Sequence, residues 1–311
     1  ARRLGLAGAA PRARGVGVAA VPVERGLVAA DFGAERKVAV KASSVVRRLF
    51  TAAKKSAFSQ NVWYESPDGG TKNGPKSVWD YWQLRPTREI ERIDDGIGSC
   101  GCTWKQLDGK RGVSYIRVDK EGRVAYMREI LEPLEIFKFT ENNMKSLSPA
   151  FGVMDKIAGF FNTFDNVLVV EDKDKQRPRP YRGLAQPKTR AARDVVQYLW
   201  QEAQFSMAPL DPVERCVEEY AEKAVYEDLT YKEEVWPASQ EALRKWQKET
   251  LDAAPGNLVF VPDEFTDGQR SCTVTWHVEY NGQTSPRGVS FYELDAEGKV
   301  EYVRMGYRLD W

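Results

Sequence analysis

Two stretches of the chain alternate apolar and polar residues and predict antiparallel strands. Residues 111–128 and 287–304 follow one pattern, with Arg-Gly-Val-Ser at the start and Glu-Gly before the last strand. An Asp-Gly or Asn-Gly dipeptide precedes each copy, and both dipeptides tolerate the positive φ of tight hairpins. Each copy therefore predicts three successive antiparallel strands, so one folding unit occurs twice in the chain.

Apolar residues at helical spacing come before the strands of each copy. In the second copy, Thr189 can cap a helix, and Asp211 followed by Pro212 and Glu214 has the order that begins another. The apolar stripes expected on these two helices are Val195, Val196, Leu199, Trp200 and Ala203, and Val213, Val217, Tyr220 and Ala224. The first copy is shorter and its middle helix is poorly defined. Helices followed by a long meander predict an α+β fold with helices on one face of a curved antiparallel sheet.

The repeat sets the predicted domain boundaries. We expect a trimmed first domain over residues 42–139, a second domain over residues 189–311, and a connecting segment over residues 140–188. Residues 151–164 of that segment carry Phe, Met and Ile at helical spacing. This stripe fits a helix docked on either domain, or a surface helix that rests on a membrane or a partner. The charged, Pro-rich residues after it predict a linker.

The first 41 residues have the composition of a targeting segment. They hold eight basic and three acidic residues and are rich in Ala, Gly and Val. Such a leader is typical of a transit peptide, and residues 38–42 have the composition of a chloroplast processing site. We expect the chloroplast, stroma or thylakoid surface, as the first location and the mitochondrion as the second. The alternative is a disordered basic arm.

Composition excludes several classes of function. Lys plus Arg total 46 against 45 for Asp plus Glu, so no overall positive field attracts nucleic acid. The four cysteines lack the spacing of a zinc site, and no phosphate loop or nucleophile elbow is present. We therefore expect no metal, no cofactor and no nucleic-acid partner.

The second copy resembles the nuclear transport factor two-like superfamily. The resemblance rests on the Thr189 helix, the phrase Tyr-Ala-Glu-Lys-Ala-Val-Tyr-Glu-Asp-Leu at residues 220–229, a Trp-bearing third helix and the final meander. It covers residues 189–311 and, more weakly, 43–139. This superfamily includes SnoaL-like cyclases and ketosteroid isomerases. The resemblance implies two tandem cone-like domains, in which each sheet curls around its helices and leaves one pocket.

In the isomerase branch of this superfamily an Asp removes a proton next to a ketone, while a Tyr and a protonated acid stabilise the oxyanion. Carried over by motif, the base falls on Asp228 and the Tyr on Tyr198. The acid position holds Ser290, which cannot act as a carboxylic acid. In the first copy, residues 63–66 offer no base. Asp228 can equally satisfy backbone groups, and Tyr198 can be a core residue.

Further residues are expected to line the pockets. Strand alternation puts Val303, Met305 and Tyr307 on one face of the last strand. Tyr226 and Ser290 join them in the second pocket. Glu129 takes the place of Met305 in the first copy, so the two pockets should differ in polarity.

The duplicated fold and the incomplete catalytic set lead to one functional expectation and two alternatives. We expect a plastid accessory protein that binds an apolar small molecule or scaffolds a photosynthetic or other plastid assembly. The first alternative is an isomerase or cyclase that uses Asp228 as general base. The second is a dimerisation module, either a homodimer or a pseudo-dimer formed by the two copies within one chain.

Overall fold

A computed structural model describes two parts of the chain, here called the first half and the second half. The first half is residues 40–132, and the second half lies within residues 190–308. In the second half the described residues are 190–203, 212–229, 233–235, 240–241, 243–245, 258–280 and 283–308. The predicted targeting segment, apart from residues 40 and 41, and all of residues 140–188 lie outside the described residues, so the predictions made for them stay predictions.

The first half consists of two helices and six strands. In chain order they are α1 (Ala42–Ala52), a single 3₁₀ turn (Lys55–Ala57), β1 (Phe58–Glu65), β2 (Thr71–Asn73), α2 (Gly74–Trp82), β3 (Arg88–Ile93), β4 (Ser99–Gln106), β5 (Arg111–Val118) and β6 (Val124–Leu131). The positive φ values of Gly109 and Gly122 fall in the two turns of the predicted meander.

The second half repeats the order of the six strands. Its elements are α3 (Ala192–Tyr198), continued by one wider helical turn (Leu199–Ala203), α4 (Pro212–Glu219), β7 (Tyr220–Asp228), β8 (Glu233–Val235), β9 (Leu258–Phe265), β10 (Ser271–Tyr280), β11 (Gln283–Leu294) and β12 (Val300–Arg308). In the first half only the 3₁₀ turn lies between α1 and the first strand, where the second half has α4. The first half is thus the shorter version of the unit.

The strand order is the same in the two sheets. It is β2-β1-β6-β5-β4-β3 in the first half and β8-β7-β12-β11-β10-β9 in the second. All pairings are antiparallel except those of β1 with β6 and of β7 with β12, which are parallel. The predicted α+β fold of two tandem units is confirmed, with one parallel pairing in each sheet that the sequence pattern did not indicate.

The prediction that α4 continues through Ala224 is wrong. The helix ends at Glu219, and Tyr220 and Ala224 lie in β7. Both side chains are still buried, in the core where the apolar spacing placed them. The strand forms because β12 supplies its hydrogen-bond partners, and this contact joins residues about 80 positions apart.

Each sheet has an inner face, which packs on the helices of its half, and an outer face. In the second half the inner core joins Val195, Leu199 and Trp200 of the helix with Trp276 and Val303 of the sheet. The first half builds the equivalent core around α1, Trp82 and Trp104. Bulges in β9, β12 and β3 bend both sheets around these cores.

The outer faces of the two sheets pack against each other. A separate apolar cluster draws members from both halves: Val113, Tyr115, Ile130, Val225, Leu229, Val289, Phe291 and Tyr302. Side chains of this size each contribute about 1.5–3 kcal/mol when fully buried. The contact is close, since a Cβ added to Gly101 would lie 2.3 Å from the Cβ of Thr273 in the other half. The two halves accordingly belong to one compact unit.

Buried ion pairs surround this cluster in a pseudo-twofold arrangement. Arg128 contacts Glu65 in its own half at 2.9 Å and Asp263 in the other half at 2.9 Å. Arg304 occupies the corresponding place, with Glu227 in its own half and Glu91 across the interface at 2.5 Å. Each arginine therefore joins an acid of its own sheet to an acid of the other sheet.

Two further ion pairs cross the interface, and in both of them the first half supplies the cation and the second half the anion. Arg92 of the first half contacts Glu293 of the second, and Arg117 of the first half contacts Glu264 of the second at 2.6 Å. By register, Arg92 corresponds to Glu264 and Arg117 corresponds to Glu293. A symmetric pairing of two first halves would place arginine against arginine, and two second halves would place glutamate against glutamate. Because like charges repel, each outer face is complementary to the other half and not to itself.

Candidate functional site

The inner face of the second half brings Asp228, Tyr226 and Met305 together. Asp228 ends β7 and faces Met305 of β12 in the register, and alternation puts it on the same side of the strand as Tyr226. Both Asp228 and Tyr226 are buried. The Tyr226 hydroxyl donates to the Met305 sulfur. Burial, with smaller contributions from Tyr292 and Asp228, raises the pKa of Tyr226 well above its ordinary value, so this hydroxyl is a neutral hydrogen-bond donor.

Ser290, Val303 and Tyr307 lie on the same inner face. The Ser290 hydroxyl accepts a hydrogen bond of 2.9 Å from the Trp276 indole, and Val303 is fully buried. The Tyr307 ring lies 6.1 Å from the Trp276 ring, centroid to centroid. Position 290 therefore holds a serine hydroxyl that is engaged by Trp276, where the isomerase branch has an acidic group.

Tyr198 is separate from this group. It is half-buried at the end of α3 and packs at the edge of the second core. Among the described residues, no hydrogen bond joins Tyr198 to Asp228. The hydroxyl that the structure places near Asp228 belongs to Tyr226, which the sequence analysis treated only as pocket lining.

The inner face of the first half carries a charged network around Glu129. The Glu129 carboxylate accepts hydrogen bonds from Arg88 at 2.7 Å, Arg85 at 2.9 Å, Tyr64 at 2.5 Å and Ser114 at 2.9 Å. Burial alone would raise its pKa. The two arginines and the hydrogen bonds outweigh burial, and the pKa of Glu129 lies below its ordinary value. Glu129 is therefore an anion in the interior of the sheet.

Aromatic rings enclose the arginine side chains of this network. The Arg88 guanidinium carbon lies 4.2 Å from the Trp82 ring centroid, 4.7 Å from that of Phe50 and 4.9 Å from that of Trp104. Such contacts stabilise a buried cation through the negative ring faces. Sequence analysis placed Glu129 but missed Arg85 and Arg88. A comparison of the two copies could have indicated Arg88, because this arginine of β3 stands where β9 has the apolar Phe260.

The two inner faces differ at two corresponding positions. Arg88 of β3 corresponds to Phe260 of β9, and Glu129 of β6 corresponds to Met305 of β12. The neighbouring Trp-to-Ser hydrogen bond is present in both halves, as Trp104 to Ser114 and as Trp276 to Ser290. An ion pair in the first half is thus replaced by an apolar pair in the second, beside a Trp-to-Ser hydrogen bond that both halves share.

The described residues contain no metal site, no disulfide and no membrane-spanning helix. No group of three or more His, Cys, Asp or Glu side chains there could hold a metal ion. All four cysteines are buried and none forms a disulfide. Within the same residues, no helix is long and apolar enough to cross a membrane.

Comparison with protein-family models gives no match, and comparison with curated proteins gives none either. Solved structures do show similarity. A ketosteroid isomerase-like protein from Kribbella flavida is 17% identical, with a TM-score of 0.32 over 39% of this chain and 79% of that one. An NTF-2-like protein of unknown function from Burkholderia xenovorans is 14% identical, with a TM-score of 0.32 over 39% and 84% of the two chains.

A third similar structure is that of a protein from Agrobacterium tumefaciens, described as an isomerase of the SnoaL-like family. It is 16% identical, with a TM-score of 0.29 over 37% of this chain and 92% of that one. The descriptions of these three solved structures name the superfamily that the second copy resembles in sequence.

Proposed function

We propose that the chain is a plastid ligand-binding protein whose second half holds an apolar small molecule on its inner face. The observation that carries the proposal is the replacement of the Arg88 and Glu129 pair by Phe260 and Met305 at corresponding positions. An apolar lining with a few polar groups is typical of small-molecule sites. Tyr226, Ser290 and Asp228 supply the polar groups here. The plastid assignment is supported by the composition of residues 1–41.

Binding of an uncharged apolar fluorophore tests the proposal. We expect N-phenyl-1-naphthylamine to bind the wild-type chain saturably, with enhanced emission, and Met305→Gln to weaken the affinity by about tenfold. The amide puts a polar group in the lining at nearly constant size, and tenfold corresponds to about 1.4 kcal/mol.

Leu131→Gln is the matched control for this experiment. It makes the same type of change on β6, the strand of the first half that corresponds to β12, and should leave the affinity unchanged. Absence of saturable binding to the wild-type chain contradicts the proposal, and so does equal affinity in Met305→Gln.

A second candidate function is favoured by the burial of Asp228 beside the Tyr226 hydroxyl. In this alternative the chain is a ketosteroid isomerase-like or cyclase-like enzyme. The Asp228 carboxylate would take a proton from the carbon next to a ketone and return it elsewhere on the molecule, while the Tyr226 hydroxyl donates to the oxygen of the enolate.

The enzyme alternative has its own test. With 3-cyclohexen-1-one as substrate, conversion to the conjugated enone is followed by ultraviolet absorbance. If the alternative holds, Asp228→Asn lowers kcat/KM by about 100-fold or more, since a general base contributes about 10²–10⁴ in rate. Glu279→Gln, a half-exposed acid of β10, leaves the rate unchanged. Turnover that survives in Asp228→Asn removes the alternative.

A further inference from the structure

The network on the inner face of the first half carries more positive than negative charge. Arg85 and Arg88 both contact Glu129, and their side chains are 8% and 3% exposed. The other two hydrogen-bond partners of Glu129 are Tyr64 and the neutral Ser114 hydroxyl, and Tyr64 does not neutralise the second cation. Its pKa is raised well above the ordinary value, first by burial and then by the Glu129 charge, so Tyr64 stays protonated. The network therefore holds two cations and one anion.

One donor of this network has no acceptor among the described residues. The Nη1 atom of Arg85 donates to Glu129 and to the Tyr64 hydroxyl at 2.5 Å, but its Nη2 atom is buried without a hydrogen-bond partner. A buried guanidinium N–H that lacks an acceptor is costly, because the group has given up its hydrogen bonds to water. The unmatched charge and the unmatched donor belong to the same side chain.

The fold itself does not require these charges. The second half builds the same inner face with Phe260 and Met305 in place of Arg88 and Glu129. Replacing buried ion pairs by apolar side chains of similar volume is often neutral or stabilising. The second half thus serves as an internal control, and the charge of the first half needs a reason other than folding.

Arg85 reaches the network from the surface. It follows α2, between the exposed residues Leu84 and Pro86. Its guanidinium lies 5.5 Å from the Tyr81 ring centroid, and the Lys72 ammonium lies 5.0 Å from the same centroid. Lys72 also lines an open depression of about 560 Å³ at the start of α2. Asp68 is engaged by Ser66, by the Gly70 backbone and by the Tyr81 hydroxyl, and although burial acts to raise its pKa, these hydrogen bonds and the Lys72 charge lower it.

We propose that the first half binds a small organic carboxylate with an apolar or aromatic body, and that the Nη2 atom of Arg85 donates to the carboxylate. A planar carboxylate supplies both the missing charge and the missing acceptor, and guanidinium and carboxylate groups match in geometry. The half-buried Tyr81 ring, whose centroid lies 5.5 Å from the Arg85 guanidinium, gives the ligand body an aromatic surface. This site goes beyond the function proposed for the second half and differs from it in ligand charge.

Thermal unfolding of the full chain with benzoate or benzamide tests this proposal. The two probes share size and shape and differ in charge. We expect benzoate, with a Kd on the order of 1 mM, to raise the unfolding midpoint progressively with concentration, and benzamide to leave it unchanged. A midpoint that responds equally to both probes, or to neither, overturns the proposal without any variant.

Arg85→Gln separates ligand binding from a structural role. The variant leaves Glu129 paired with Arg88, Tyr64 and Ser114 and brings the network to zero net charge. Its midpoint without ligand should therefore stay within about 3 °C of the wild-type value, while the benzoate shift is lost. Lys120→Gln, which changes an exposed cation in the turn before β6, should keep the benzoate shift. Retention of the shift in Arg85→Gln overturns the proposal. Neither probe reports on the fluorophore site of the second half, so the two proposals fail independently.

Discussion

Arg92→Glu should lower the free energy of unfolding by about 3 to 5 kcal/mol, the range measured when one partner of a buried ion pair is removed. Arg92 is the cation that faces Glu293 across the interface, and the side chain of Glu293 is only 1% exposed. Burial already raises the pKa of Glu293, while the Arg92 charge acts in the opposite direction. The variant also loses the contact of Arg92 with the Tyr302 ring, whose centroid lies 3.9 Å away.

The double variant Arg92→Glu/Glu293→Arg should recover most of that loss, because it restores an ion pair with exchanged polarity. Urea unfolding of the four proteins gives the coupling energy directly. Arg117→Glu is the matched control. Arg117 and Glu264 occupy the positions that correspond to Glu293 and Arg92, but their side chains are 49% and 33% exposed. Removing this exposed ion pair should therefore cost about 1 kcal/mol or less. A coupling energy below about 1 kcal/mol for Arg92 and Glu293 would contradict the role given to this pair.

The stability of the chain should decrease between about pH 4 and pH 7 through one carboxyl group, Asp94. This side chain is fully buried at the interface between the halves and accepts hydrogen bonds from Gly96, Gly101 and Thr273. Burial is the largest influence and raises its pKa to about 7, although the hydrogen bonds act against it. Since the folded chain holds this proton more tightly than the unfolded chain, the contribution is full below the unfolded pKa and is lost as pH rises through the folded one.

Asp94→Asn removes this titration and isolates its effect. As pH rises from 4 to 8, we expect the wild-type chain to lose the stability that the Asp94 proton contributes, while Asp94→Asn does not lose it. The variant should therefore become more stable relative to the wild-type chain. The change should be on the order of 4 kcal/mol, measured by urea unfolding at several pH values. Asp94→Thr copies Thr266, the residue at the corresponding position of the second half, and should show the same trend. A difference that does not vary with pH would show that folding does not raise the pKa of Asp94.

The repeated meander could be predicted from sequence because its signals are local. Alternation and turn glycines such as Gly122 and Gly298 specify strands and hairpins without knowledge of distant contacts. The first strand of each sheet could not be predicted in this way. Residues 213–224 fit a helical stripe as well as a helix followed by a strand, and only the parallel pairing of β7 with β12 decides between them.

The candidate sites show the same division between local and distant signals. Asp228 and Glu129 could be placed by motif and by counting along strands. Arg85 and Arg88 follow no motif, and they gain their meaning from Glu129, which lies more than 40 residues further along the chain. The place of Tyr226 beside Asp228 follows from the β7 strand, whose first part, through Ala224, the sequence analysis had treated as helix.

The back-to-back packing of two unlike halves determines what kind of cooperativity the molecule can show. In a symmetric pair of identical cones both sites are equal, and occupation of one can alter affinity for the same ligand at the other. Here each inner face occurs once per chain, and strands such as β12 carry Met305 toward one inner face and Arg304 toward the interface. Coupling between the two proposed sites through the shared interface would therefore link chemically different ligands, and by thermodynamic linkage each would change the affinity for the other by the same factor.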